Sequence, residues 1–200
     1  ARPQHGIDPL MIGVKLAQAL QTIMTRNRDP MDNGVLSITQ FHAGSAGNII
    51  PDQATLEGTV RTFSTDLVDL IERRMREIAE HTAAAYGALV DFQFAREYPA
   101  LINDPLQAAF ATQVLREMVG THALDAQFRP IFAAEDFAFM LQQKPGCYVH
   151  IGNGGDSHRA AGQGLGPFEL HNTSYDFNDA LLPLGTSFWV KLAEEFLNQT

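Results

Sequence analysis

Gly34 to Ala43 reads GVLSITQFHA and Gln53 to Phe63 reads QATLEGTVRTF, and these two runs decide the fold class. Both are rich in β-branched and aromatic residues, while Gly44-Ser45-Ala46-Gly47-Asn48 between them carries loop residues. The pattern predicts two neighbouring strands. Along the second strand Leu56, Gly58 and Val60 share one side, so Arg61 projects from the other.

Helical periodicity flanks the pair. Upstream, Leu10, Val14, Ala17, Leu20 and Met24 recur at helical spacing after an Asp8-Pro9 start, which predicts a helix ending near Asn27. Downstream, Ser64 and Thr65 are cap residues and Asp66 suits a first turn. Leu67, Ile71, Ile78, Thr82 and Ala85 then follow one face until Gly87. Leu89 to Ala95 reads as a further strand. The order α-β-β-α-β is that of a ferredoxin-like split βαβ unit lacking its first strand, which would lie upstream of Ala1. The opening Ala1-Arg2-Pro3-Gln4 has neither an initiator Met nor a charged-then-apolar leader, so the chain is expected to be a piece of a longer protein.

The character changes after Tyr98-Pro99. Asp104-Pro105 starts a helix with Leu106, Phe110, Val114 and Met118 on one face, ending at Gly120. Ala134 to Gln143 reads as a short helix closed by Pro145-Gly146. Cys147 to Ile151 is a continuous apolar strand of the kind buried on both sides of a parallel sheet. Gly152 to Gly166, with six Gly, reads as a surface loop. A final helix from about Leu181 presents Leu182, Thr186, Trp189, Ala193 and Phe196. The expectation is an α/β protein in two parts, residues 1–97 and residues 98–200.

Bulk properties exclude several classes. The 200 residues are 45% hydrophobic with 13 Phe, enough to bury a core. A net charge of −9, with the 14 Lys and Arg scattered, leaves no footprint for nucleic acid. No apolar run is long enough to span a bilayer. The one cysteine, Cys147, excludes an internal disulfide and fits the cytoplasm.

Six short segments carry chemistry: Gly47-Asn48-Ile49-Ile50-Pro51-Asp52 before Gly58-Thr59-Val60-Arg61-Thr62-Phe63, then Glu135-Asp136-Phe137, Pro145-Gly146-Cys147-Tyr148, Leu170-His171-Asn172 and Tyr175-Asp176-Phe177-Asn178-Asp179. In order and spacing they resemble the dinuclear-metal aminoacylase/carboxypeptidase amidohydrolase family, of the hippurate hydrolase and auxin-conjugate hydrolase type. The resemblance covers essentially the whole chain. It implies a ferredoxin-like lid through which subunits pair as a homodimer, and the C-terminal part of a zinc-exopeptidase-like α/β catalytic domain. The implied reaction is metal-dependent hydrolysis of the amide bond of N-acyl amino acids, hippurate-like, releasing a carboxylic acid and a free amino acid, with two divalent ions (Zn, Mn or Ni) as cofactors.

The resemblance also assigns residues. His171 becomes an imidazole ligand to one ion, a donor suited to Zn, Mn or Ni. Asn48 and Arg61 become substrate-binding residues reaching toward the carboxylate, for which a planar guanidinium is fitted. A hydrolytic ion pair needs further carboxylate and imidazole ligands and a Glu to take a proton from water. Those groups are expected upstream, so no catalytic residue is assigned here and the fragment alone is expected to be inactive. His5 is not the equivalent of the family's carbonyl-polarising His.

Other candidates are set lower. Cys147 reads as a core residue. A three-histidine site of His150, His158 and His171 is conceivable but less favoured than ordinary polar roles. Glu135 and Asp136 are expected to cap the following helix, with a supporting place near the active centre left open. Glu194-Glu195 reads as a solvated face, and Ser157-His158 lacks the strand–turn–helix of a nucleophile elbow. The rival from another class is a non-catalytic dimerisation or binding module, since a split βαβ sheet with an open edge can pair with its twin.

Overall fold

The computed structural model describes residues 2–154 and 170–198. Its backbone divides into two compact units. One comprises Ala1–Leu101 with Ile131–Phe139, the other Ile102–Pro130 with Met140–Thr200.

The first unit is built on an antiparallel hairpin, β1 (Gly34–Ala43) and β2 (Ala54–Thr62), backed by α1 (Pro9–Thr22) and α2 (Thr65–Ala85). Asp8 caps α1, its carboxylate accepting from the Leu10 and Met11 N–H groups, and Ser64 caps α2 through the Leu67 N–H. The chain leaves α1 through a π-turn at Ile23–Asn27, which accounts for the expected end near Asn27. Leu20, Ile23, Leu36, Leu67 and Ile71 form the core between hairpin and helices.

Helix faces differ in part from the sequence expectation. The buried positions of α1 are Ile12, Gly13 and Leu20, whereas Leu10 is exposed. This helix is apolar around much of its circumference, so periodicity alone does not choose the packed side. In α2 the buried residues are Leu67, Ile71, Ala79 and Ala83; of the expected second half Ile78 does pack on the core, partly buried, while the fully buried positions there are the next residues along, Ala79 and Ala83.

The hairpin contains a bulge. Ile38 pairs with Gly58 and Gln40 with Glu57, leaving Thr39 as the extra residue. Ile38 and Phe41 are three positions apart, so strict alternation would turn one of them to solvent. The bulge resets the alternation and keeps Phe41 against α1, where its ring lies so close to Gly13 that a Cβ there would be 2.8 Å away. Opposite the bulge, a Cβ on Gly58 would lie 2.2 Å from the Ser37 carbonyl oxygen. Only glycine admits this approach.

The expected strand over residues 89–95 is not formed, because no described residue offers it a ladder partner. The segment is instead tied to α2. The Arg76 guanidinium sits 4.6 Å over the Phe92 ring, and Arg96 pairs with Asp69 (2.7 Å) and Glu72 (2.6 Å). Residues 131–139 belong to the same unit, Phe132 stacking on Phe63 with centroids 4.5 Å apart.

In the second unit α3 (Pro105–Val119) packs against α5 (Leu182–Leu197), with Ala111, Val114 and Phe188 buried between them. Asp104 caps α3 by accepting from the Leu106 and Gln107 N–H groups, and Gly120 ends it at φ 77°. Along the chain, the division between the units falls within the short helix α4 (Phe137–Leu141), after Phe139. The packed side of α5 matches the expected one only at its end: Phe196 meets Phe110 of α3 edge-on at 6.2 Å, but Phe188 is the buried residue and Leu182 and Trp189 are 68% and 64% exposed.

Residues 147–151 likewise form no strand ladder, and the described residues contain one two-stranded antiparallel sheet rather than a parallel one. A side chain takes the place of a neighbouring strand. The Asn103 amide donates to the Tyr148 carbonyl (2.9 Å) and accepts from the Tyr148 N–H (2.8 Å), while the Asp104 N–H donates to the Gly146 carbonyl.

Candidate functional site

The hairpin register sorts its side chains. Leu36, Ile38, Phe41, Leu56 and Val60 share the side packed on the helices, while Ser37, Gln40, His42, Thr55, Glu57, Thr59 and Arg61 share the other. Arg61 is exposed there, directly opposite Val35 in the ladder. No described carboxylate pairs with it. Among the described residues its one side-chain hydrogen bond runs from Nη1 to the Val60 carbonyl (3.1 Å), so the guanidinium retains donors for an incoming anion.

Asn48 occupies an exposed turn in the β1–β2 connection, where the Ile49 N–H donates to the Ala46 carbonyl. The connection joins Ala43 to Ala54, whereas Arg61 sits at the opposite end of β2 beside Val35. The seven steps from Ala54 to Arg61 span about 23 Å at roughly 3.3 Å per residue. The connection extends away from that end, since Ile50 approaches Gly6 ahead of α1. The two residues are therefore not brought together within one chain.

His171, in the second unit, is exposed and has φ 72°, the only non-glycine residue with positive φ among those described. A left-handed backbone is uncommon at any residue other than Gly, though His adopts it more readily than most, and it costs energy that the surroundings must offset. The turn that follows is firm: the Ser174 N–H donates to Asn172 Oδ1 (2.8 Å) and the Tyr175 N–H to the Asn172 carbonyl (3.0 Å). Further on, Asn153 grips the 176–178 backbone, donating to the Asp176 carbonyl and accepting from the Asn178 N–H.

A metal pair requires several donors converging on each ion. Among the described residues no group of three or more His, Cys, Asp or Glu side chains could hold one. His171 fits as one exposed imidazole donor, but the described residues do not by themselves make a two-ion site.

The remaining candidates fall into structural roles. Cys147 is half-buried against the α3–α5 core, and burial pushes its thiol above the usual range, which disfavours a reactive thiolate. The His150 ring sits among aromatics, 5.2 Å from Tyr148 and 5.6 Å from Phe128, in no metal-binding group among the described residues. His158, Ser157 and most of the Gly-rich stretch lie outside the described residues. Glu135 and Asp136 do not cap α4 as expected. Their backbone carbonyls, not their carboxylates, accept from the Ala138 and Phe139 N–H groups. Glu195 pairs with Lys191 at 3.0 Å on the surface of α5.

Sequence reasoning missed Asn103, Asn153 and Val35. The two asparagines act across 45 and 25 residues, which no local pattern reveals. Val35 could have been noticed as an aliphatic residue on the Arg61 side, but the bulge obscured which side that was.

Fold and site together define an α/β chain with a helix-backed hairpin presenting an arginine, followed by a unit presenting a histidine in a strained turn. Comparison with known proteins supplies the family. The sequence model of Peptidase family M20/M25/M40 matches residues 10–195, and the chain belongs to that family. It is 34% identical over 195 residues to hippurate hydrolase of Campylobacter jejuni, covering 98% of this chain and 48% of that protein. It is 31% identical over 191 residues to N-acetylcysteine deacetylase of Bacillus subtilis, covering 96% and 47%. Among solved structures it is similar to Bacillus subtilis YXEP, a dinuclear metal binding peptidase of the M20 family. The TM-score is 0.75 at 29% identity, over 98% of this chain and 48% of that one. The chain thus spans about half the length of the relatives it matches. Among the described residues, no helix is long and apolar enough to cross a membrane.

Proposed function

We propose that the complete protein containing this chain is a metal-dependent amidohydrolase. It cleaves the amide bond of an N-acyl amino acid to release a carboxylic acid and a free amino acid. The observation that carries the reading is the exposed His171, held at a left-handed turn within the Leu170-His171-Asn172 motif of a chain that belongs to the M20 family. The names of its relatives, hippurate hydrolase and N-acetylcysteine deacetylase among them, share an acylated amino acid as the compound acted on.

In this reading His171 is one ligand of a pair of divalent ions, Zn, Mn or Ni, which supply Lewis-acid assistance to amide hydrolysis. The other ligands and the proton-accepting carboxylate belong to the part of the relatives' length that this chain does not span. Arg61 grips the carboxylate of the substrate through its free donors. Residues 1–97 form a ferredoxin-like lid and residues 98–200 the C-terminal part of the catalytic domain. The cytoplasm is the proposed location, supported by a single cysteine without a disulfide partner.

The separation of Asn48 and Arg61 favours a homodimer through the lid. Two residues at opposite ends of one hairpin cannot serve one carboxylate in a monomer, whereas a two-fold partner can bring its Asn48 to the Arg61 of the other copy. The chain of 200 residues is by itself a dimerisation module without activity of its own, a proposal supported by its spanning about half the length of the relatives it matches.

The test is hydrolysis of N-benzoyl and N-acetyl amino acids by the complete protein, followed by removal and return of Zn, Mn or Ni. Metal-dependent release of the free amino acid is expected. A purified, folded protein that cleaves none of these conjugates with any of the three ions would contradict the reading.

A further inference from the structure

The side of the hairpin that carries Arg61 is polar except at one place. Ser37, Gln40, His42, Thr55, Glu57 and Thr59 line it, and Val35 alone is aliphatic. Val35 is 38% exposed and lies directly across the ladder from Arg61. Directly opposed residues in an antiparallel pair have Cβ atoms about 4.5–5.5 Å apart. An aliphatic group there does not serve the core, which lies on the other side of the sheet.

We propose that Val35 is a specificity-determining residue, the wall that meets the substituent on the carbon next to the carboxylate held by Arg61. This rests on the proposed role of Arg61 and extends it. The Arg61 guanidinium is turned back onto the Val60 carbonyl (3.1 Å) and not extended away from the sheet, so a carboxylate docked on it stays near the sheet surface and a side chain on its α-carbon lies within reach of the residue opposite. A β-branched side chain has few rotamers and offers a fixed apolar surface. Aliphatic amino acids gain by covering it, while glycine has no side chain to place there and charged side chains lose hydration against it. The substrate class is therefore the N-acyl conjugates of small to medium aliphatic amino acids.

The experiment compares kcat/KM for N-benzoyl leucine and N-benzoyl glycine in the complete protein, for wild type and Val35→Thr, Val35→Ile and Arg61→Ala. Val35→Thr keeps size and branching but replaces a methyl by a hydroxyl, so the leucine-to-glycine ratio should fall about fivefold, mainly through KM. Val35→Ile should hold the ratio within about twofold. If Arg61→Ala raises KM for both conjugates but Val35→Thr leaves the ratio unchanged, the Val35 inference is overturned and the reading of Arg61 stands. If Arg61→Ala leaves both KM values unchanged, both fail together. Circular dichroism and thermal melts separate either result from misfolding.

Discussion

Asn153 and Asn178 bind each other's backbone in both directions. Asn153 Oδ1 accepts from the Asn178 N–H at 2.9 Å, and Asn178 Nδ2 donates to the Asn153 carbonyl at 3.2 Å. Asn153 Nδ2 also donates to the Asp176 carbonyl at 2.8 Å, so one amide spans a gap of more than twenty residues and secures the segment following the His171 turn. Losing a partner of a half-buried backbone group costs about 1–3 kcal/mol. Asn153→Ala should therefore destabilise by about 2 kcal/mol, measured by urea denaturation. Asn153→Asp, which keeps the acceptor but loses the donor, should not restore stability.

Gly58 controls the bulge. With a Cβ there 2.2 Å from the Ser37 carbonyl oxygen, Gly58→Ala forces the two strands apart at the point where the register changes. Overpacking of this kind costs about 1–3 kcal/mol. The melting temperature should fall accordingly, with exchange protection lost first at Ile38 and Gln40. A variant as stable as wild type would mean that the strands do not approach this closely.

The two aromatic neighbours on α5 should behave oppositely. Phe188 is buried with Ala111 and Val114, so Phe188→Ala should cost about 3–5 kcal/mol. Trp189 is mostly exposed, and Trp189→Ala should change stability by less than about 1 kcal/mol. Denaturation of both variants checks the assignment of the packed face, and the reverse ranking would restore the side suggested by the sequence.

Much of the hairpin and its flanking helices was legible because caps and alternation are local. Asp8, Ser64 and Asp104 each cap the helix they announce. The failures have physical causes. An apolar-rich helix such as α5 offers more than one apolar face, and the choice is made by what it packs against. The segments at 89–95 and 147–151 have strand composition, but a strand exists only with a hydrogen-bonded neighbour, and neither finds one among the described residues. At the site, Arg61 falls on the side that alternation implied. The distance between Asn48 and Arg61 was hidden, because two residues thirteen apart in sequence can be near or far depending on where the turn falls.

If the His171 imidazole holds a metal ion, the metal content of the complete protein depends on that side chain. Elemental analysis of dialysed wild type and His171→Ala should show bound Zn, Mn or Ni in the first and loss of about one ion per chain in the second, with the fold intact by circular dichroism. Equal metal content in the two proteins would mean that His171 holds no metal ion.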